Sequence, residues 1–271
     1  QPMNPDPINR HLQCLGLTVS GALEVLGENH LKPAGFINAT ALQLSELGPE
    51  SAVLVTECGS LGCPGTSNNT WLPDMAPASL KRMLASAKST PDRLSTRKVW
   101  SGRNQPHFSP RSNMSQITGF DNRAMLPPYL PIMRGQDRLF GYMLDFIFPS
   151  AITLDYPWAI PHLPIPQRQW CSEDRDFTMG DSFPIFFTGA VLAQKSACLA
   201  SLPAERLNAL SAWFNALAAA PADSLAAMYR DTRLQNTSEL LQHLNRLLAE
   251  GESTPADWQD YLKTGIKQLN V

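Results

Sequence analysis

The chain has 271 residues, of which 43% are hydrophobic and 17% charged, and its formal net charge is −2. Such a composition is typical of a globular protein with one large or two small domains. The charge argues against a nucleic-acid binder that neutralises phosphates, and no apolar run approaches the roughly 20 residues that span a bilayer. The odd number of widely spaced cysteines, five in all, favours a reducing compartment, and we expect a cytoplasmic protein.

The first part of the chain begins with glutamine inside a loop-like stretch, "QPMNPDP", so we expect that the N-terminal part of a longer protein precedes it. Residues 4–30 are predicted to be helical, with Asn4 or Asp6 as the N-cap and Pro7 in the opening turn. The segments "AGFINATALQL" and "SAVLVTECGSL" are predicted to be strands or buried segments, and residues 53–55 are the clearest strand.

The middle of the chain alternates loops with short regular elements. A Gly-, Ser- and Asn-rich loop is predicted at residues 59–73, followed by an amphipathic helix in "PASLKRMLASAK" and a short strand in "STRKVW". Residues 101–118 are polar and irregular, and we expect a surface loop there. A proline-rich loop, a helix in "RGQDRLFGYML" and a strand in "SAITLDYPWAIPH" follow, and the apolar residues of that strand alternate.

From about residue 184 the chain consists of long segments with apolar residues at helical spacing. Few of their side chains are chemically reactive, and His243 is expected at the surface or at the edge of the helix packing. We therefore predict an α/β catalytic portion at residues 1–183 and an α-helical extension at residues 184–271, which packs on the catalytic portion or on a partner.

Asp137 lies in the first turn of the helix in "RGQDRLFGYML", whose remaining residues are mostly apolar. Two interpretations are open. Asp137 is either a carboxylate that the N–H groups and the dipole of the helix start stabilise, or a catalytic carboxylate that faces a cleft. Acids are common at helix starts, so the position alone favours the first interpretation.

The residues after Asp137 add a second observation. Residues 134–164 read as Gly-x-Asp, an amphipathic helix, a strand and the triplet His162-Leu163-Pro164. This block resembles that of inverting GT-A-fold glycosyltransferases, in which a Gly-Glu-Asp motif opens the helix. The resemblance implies a partial GT-A-like, Rossmann-like core. It also implies that Asp137 is the general base for an acceptor hydroxyl and that His162 helps to hold a metal on the donor diphosphate.

Two positions depart from the pattern of that family. Gln136 stands where the family has Glu, and Met143 stands where it often has Arg. The family's Asp-x-Asp metal motif should precede the block, and no convincing copy is found, which agrees with the expectation of a truncated chain. Because a divalent cation neutralises the departing nucleoside diphosphate in this chemistry, we expect Mn²⁺ or Mg²⁺ as the cofactor.

Further candidate residues lie within the block and before it. Arg134 and Gln136 are expected at the substrate, with Arg134 either at a diphosphate or a plain surface charge. The triplet Asp121-Asn122-Arg123 is predicted either to line an acceptor pocket or to form a turn. Tyr129, Trp71 and Trp158 are candidates to stack on a sugar ring, although aromatic residues more often belong to the core.

Two other patterns are weighed against metal sites. Asp174-Arg175-Asp176 follows His162, the wrong order for the family's metal motif, and is interpreted as a solvated acidic loop. Cys58 and Cys63 have no second pair at ligand spacing, which argues against a structural zinc site.

The expected function is transfer of a sugar from a nucleotide-sugar donor to a hydroxyl acceptor by inverting displacement, with Asp137 as the base. The alternative is a non-catalytic α/β interaction module in which Asp137 caps a helix and His162 is a structural core residue. Neither a nucleic-acid partner nor a transmembrane segment is expected.

Overall fold

The computed structural model shows a mixed α/β protein with a helical C-terminal part. It describes residues 6–27, 47–62, 71–86, 88–95, 99–110, 112, 117–130, 135–163, 165, 183–251 and 254–270. The strands in these ranges are β1 (Val53–Gly62), β2 (Val99–Ser101), β3 (His107–Ser109), β4 (Thr118–Phe120) and β5 (Ile152–His162). The helices are α1 (Pro7–Cys14), α2 (Val19–Leu26), α3 (Pro77–Leu84), α4 (Thr90–Ser95), α5 (Gln136–Ile147), α6 (Phe183–Ala197), α7 (Pro203–Ala218), α8 (Ala222–Ala249) and α9 (Ala256–Leu269).

The chain divides into two compact units, each drawn from three stretches. Unit 1 comprises Gln1–Leu61, Trp100–His162 and Phe183–Ala222, and unit 2 comprises Gly62–Val99, Leu163–Ser182 and Asp223–Val271. Helix α6 begins at Phe183 and belongs to unit 1. The predicted division into a catalytic portion and an extension is a functional statement and stays a prediction.

The sheet of unit 1 has the strand order β2-β1-β5-β3, and β4 also pairs with β1. β4 is antiparallel to β1, and β3 is antiparallel to β5. The N–H of Ile152 donates to the carbonyl of Ala52 at 2.9 Å, and a Cβ on Gly59 would lie 3.3 Å from that of Ala159. From the first contact to the second, the residue number rises from 52 to 59 on one strand and from 152 to 159 on the other. β1 and β5 therefore run parallel, and the sheet is mixed.

The apolar residues of β1 pack on both faces of the sheet, as expected for a continuous apolar run. Val53 belongs to a buried cluster with residues of α1 and α2, whereas Leu54 belongs to a cluster with Phe140 and Leu144 of α5. The other side of α5 packs against α6 and α7 through a third cluster. Helix α5 is thus buried nearly all round, which explains why almost every residue after its first turn is apolar or small.

Unit 2 has its own core, which is built from α3, α8 and α9 around Trp258. Arg93 lies at the edge of this core, and its side chain is 2% exposed. It donates hydrogen bonds to the main-chain carbonyls of Met83, Leu84 and Ser86. His243 lies where the sequence predicted it, at the edge of the packing, and its Nε2 lies 3.1 Å from the carbonyl oxygen of Pro73.

Several predicted elements are confirmed. These are the Asp6 cap, the strand at residues 53–55, the helix that contains Asp137 and the strand that ends at His162. Residues 4–30 form two helices within the described part, because Gly16 adopts a φ of 72° between them. None of the helices in the described ranges combines the length and the apolar character that crossing a bilayer requires.

The prediction of a surface loop at residues 101–118 is wrong for its central part. Residues 107–109 form β3, and all three are buried. The polar side chains of this segment misled the prediction, because pairing with β5 buries them in the sheet. The predicted strand in "AGFINATALQL" lies outside the described residues.

Candidate functional site

The first turn of α5 holds the carboxylate that the sequence singled out. Gly135, with a φ of 89°, is the N-cap, and it has no side chain that could cap the helix. Gln136 and Asp137 follow, and both are half-buried. Asp137 is therefore the second residue of the helix and does not occupy the cap position itself.

The carboxylate of Asp137 accepts a hydrogen bond from the hydroxyl group of Tyr129, with 2.5 Å between Tyr129 Oη and Asp137 Oδ1. Tyr129 follows Pro127 and Pro128, and its ring packs against Phe140 with 5.2 Å between ring centroids. Burial and the hydrogen bond to Asp137 raise the pKa of Tyr129, so the phenol stays protonated and donates. Tyr129 is also 43% exposed, so an aromatic surface borders the carboxylate.

Gln136 replaces the acid expected from the family pattern, and its surroundings are consistent with an amide. Its Oε1 is buried and has no hydrogen-bond partner within the described part of the chain. A carboxylate at this position would place an uncompensated charge in the same environment, which is costly.

Asp121 and Arg123 are joined by a forked ion pair. Arg123 Nε lies 2.8 Å from Asp121 Oδ1, and Arg123 Nη2 lies 3.0 Å from Asp121 Oδ2. These hydrogen bonds hold the pKa of Asp121 below its ordinary value. The same guanidinium group donates to the carbonyl of Leu15 at 3.3 Å. The triplet therefore anchors its loop to the end of α1, while Asn122 is exposed.

His162 is the last residue of β5 and is half-buried. α5 has 12 residues and β5 has 11 residues, so they extend roughly 18 Å and roughly 36 Å at the usual rises. Only about half of the strand can lie alongside the helix. The role of His162 at a metal on the donor diphosphate therefore stays a prediction.

The part of the chain that the structure describes was examined for a cluster of metal-binding side chains. Within it, no group of three or more His, Cys, Asp and Glu side chains is placed to hold a metal ion. The expected divalent cation stays a proposal. Arg134, Cys63 and the triplet Asp174-Arg175-Asp176 lie outside the described residues.

Two features of unit 1 were missed by the sequence analysis. The first is the hydrogen bond between Tyr129 and Asp137, since the sequence marks Tyr129 only as a stacking residue or a core residue. The second is a pair of acids on neighbouring strands, the buried Glu57 and the half-buried Asp155. The signal for the second was visible: each acid stands within a strand whose other residues are mostly apolar.

The chain was compared with family models, curated proteins and solved structures. No family model, no curated protein and no solved structure matches the chain.

Proposed function

We propose that this chain is the acceptor-side portion of an inverting, GT-A-like glycosyltransferase in which Asp137 deprotonates the hydroxyl group of the acceptor. The observation that carries the proposal is the half-buried carboxylate at the start of α5, which accepts a hydrogen bond from the partly exposed Tyr129. Further support comes from the order of elements in residues 134–164, which resembles that family.

The chemistry requires a carboxylate that can take a proton while a sugar is transferred. Each carboxylate oxygen can accept two hydrogen bonds. Asp137 can therefore keep the hydrogen bond from Tyr129 while a substrate hydroxyl donates to it. As the bond between the acceptor oxygen and the anomeric carbon forms, the hydroxyl proton passes to Asp137 and the nucleoside diphosphate departs. We propose His162 as the side chain of this chain that contributes to a divalent cation, which would neutralise the departing diphosphate.

The proposal also assigns four further polar residues to the substrate. The exposed Asn122 and the guanidinium group of Arg123 would border the acceptor, and Gln136 and Arg134 would lie next to the donor. The side chain of Arg123 is 73% exposed although it is paired with Asp121. A second anionic group could therefore approach it from solvent.

The test is the substitution Asp137→Asn in the full-length protein. Release of nucleoside diphosphate from UDP- and GDP-sugars is measured with Mn²⁺ and a panel of sugar acceptors. We expect the rate to fall on the order of 10²–10⁴-fold, because Asn cannot accept the proton. The melting temperature should barely change, because Asn keeps an oxygen for the hydrogen bond from Tyr129.

The matched control is Asp260→Asn, which neutralises a carboxylate on α9 whose side chain is 75% exposed. It should leave the transfer rate unchanged. A parental rate in the Asp137→Asn variant would show that Asp137 is a structural helix-start residue, as the non-catalytic alternative requires.

A further inference from the structure

Two acidic side chains lie together in the sheet of unit 1. Glu57 is on β1 and is 3% exposed. Asp155 is on β5, and its side chain is 16% exposed. β1 and β5 are neighbours in the sheet, and the two carboxyl groups lie within hydrogen-bonding reach of each other. We call Glu57 and Asp155 the acid pair.

The acid pair has different neighbours at its two ends. Near Asp155, Arg103 Nε lies 3.9 Å from Asp155 Oδ2, and His107 of β3 is the register partner of Asp155. Near Glu57, the hydroxyl group of Ser112 donates to Glu57 Oε1 at 2.5 Å. Within the residues that the structure describes, the basic side chains placed against the pair, Arg103 and His107, therefore lie on the Asp155 side.

Helix α5 reaches the acid pair through Ser112. A Cβ on Gly141 would overlap the carbonyl oxygen of Ser112, so the two backbones are in close contact. Gly141 lies one turn after Asp137 in α5. The acidic residue one turn further, Asp145, is paired with Lys195 at 2.8 Å. The link from the acid pair to this helix thus runs from Glu57 through Ser112 to Gly141.

Two carboxylates in hydrogen-bond contact cannot both be ionised, since neither would carry the proton that the hydrogen bond requires. Burial raises the pKa of Asp155, while Arg103 and His107 oppose this shift. The observed contacts are those expected if Glu57 carries the proton. Its protonated oxygen can donate to Asp155, and its other oxygen accepts from Ser112, while the charge of Asp155 faces Arg103.

We propose that Glu57 and Asp155 hold one proton in common, and that release of this proton to solvent, at a pH above the ordinary range of carboxyl groups, loosens the β1–β5 contact and the start of α5. With the proton gone, two negative charges face each other within the sheet and the hydrogen bond between them is lost. Repulsion then separates the two side chains and pulls Glu57 away from Ser112. The proposal concerns a pH-dependent conformational change and requires no sugar transfer.

The direction of the pH effect follows from the coupling between proton binding and folding. A carboxyl group whose pKa is raised in the folded protein stabilises the fold below its ordinary value, and this stabilisation is lost as the pH rises through the raised value. The change is therefore expected on the alkaline side of the ordinary range of carboxyl groups, where exposed acids no longer titrate.

The first experiment follows the carboxyl carbons of the full chain by NMR, with ¹³C-labelled Asp and Glu, from pH 3 to pH 9. We expect the signals of Glu57 and Asp155 to change together, with one shared step above the range of the other carboxyl groups. Two independent steps within the ordinary range would overturn the proposal, whatever the function of the protein.

The second experiment compares hydrogen-exchange protection at pH 6 and pH 9 in the parent chain and in the variant Glu57→Gln. The amide of Gln can donate to Asp155 and accept from Ser112 at every pH, so it reproduces the protonated pair. The parent should lose protection in β1 and β5 by tenfold or more at pH 9, whereas the variant should not. The control Glu239→Gln, at an exposed helix position, should behave like the parent.

A third variant tests the connection to α5. Ser112→Ala removes the hydrogen bond to Glu57, so the protection of α5 should stop depending on pH while that of β1 and β5 still does. An unchanged dependence in α5 would overturn the assigned route. If Glu57→Gln does not fold, Asp155→Asn is compared in its place, and the NMR titration of the parent chain decides the question by itself.

Discussion

At the scale of single residues, Gly16 shows how tightly the loop of Asp121 is held. Its φ is 72°, a conformation that other residues rarely adopt. A Cβ would also overlap the guanidinium group of Arg123 and lie 2.5 Å from Asp121 Oδ2. The absence of a side chain therefore serves two purposes: it permits the backbone turn after α1, and it leaves room for the ion pair.

The substitution Gly16→Ala should therefore destabilise the protein by roughly 1–3 kcal/mol, measured by urea unfolding. The matched control is Gly27→Ala. Gly27 has the same φ of 72°, but nothing lies within 4 Å of the position of its Cβ. The control should cost only the backbone strain. An equal decrease in the free energy of unfolding for the two variants would mean that Asp121 and Arg123 shift without loss of stability.

At the scale of elements, α5 is positioned by close contact on its sheet side. Gly141 contacts the carbonyl of Ser112, and Phe140 and Leu144 pack on β1. A larger residue at position 141 would push the helix, and with it the first turn that holds Asp137, away from the sheet.

Gly141→Ala should destabilise the chain by roughly 1–3 kcal/mol despite the better helix propensity of alanine, because the overlap with Ser112 outweighs it. Gly189 in α6 is exposed and has open space around its Cβ position. Gly189→Ala should therefore stabilise the chain by roughly 1 kcal/mol. Thermal unfolding of both variants gives the comparison, and a stabilising Gly141→Ala would contradict the packing described for α5.

The elements that were predicted correctly are those whose local pattern agrees with their burial. α5 and β5 have clear periodicity, and Asp6 and Pro7 mark the start of α1. β3 was missed because its polar residues are buried by a strand that lies far away in sequence. The contacts of Asp137 were also out of reach, since the path of the loop that brings Tyr129 to it is set by packing against Phe140.

At the scale of the whole molecule, pH should act on the fold through His11 as well as through the acid pair. His11 is 3% exposed, and its Nδ1 lies 2.9 Å from the hydroxyl oxygen of Thr56. That hydroxyl donates to the carbonyl of His11 at 3.3 Å, so Nδ1 carries the proton of the neutral ring. Its Nε2 is buried and has no partner in the described residues. Burial lowers the pKa of His11.

The consequence is a loss of stability in acid. The contribution of neutral His11 is fully present above its ordinary value of 6.5 and is lost as the pH falls towards the lowered value. The free energy of unfolding should fall by at most about 1.4 kcal/mol per pH unit from this group. Urea midpoints at pH 7.5 and pH 5.5 measure it.

A His11→Leu variant, compared in the Glu57→Gln background so that the acid pair does not contribute, should lose this dependence on pH between 7.5 and 5.5. Asp121 and Asp257, whose pKa values are lowered from 3.8, act only at more acidic pH and do not interfere. A variant with the parental slope would assign the acid sensitivity to other groups.

The parallel pairing of β1 with β5 also has a consequence during synthesis of the chain. The carbonyl of Ala52 accepts a hydrogen bond from the N–H of Ile152. The ribosome must therefore add about 100 residues before the partner of β1 exists, which takes roughly 5–20 s at the usual rates. Until then the apolar residues of β1 have only nearby segments, such as α1 and α2, to cover them. The order of translation therefore imposes a waiting time on the central strand, during which association with other chains or with a chaperone competes with folding.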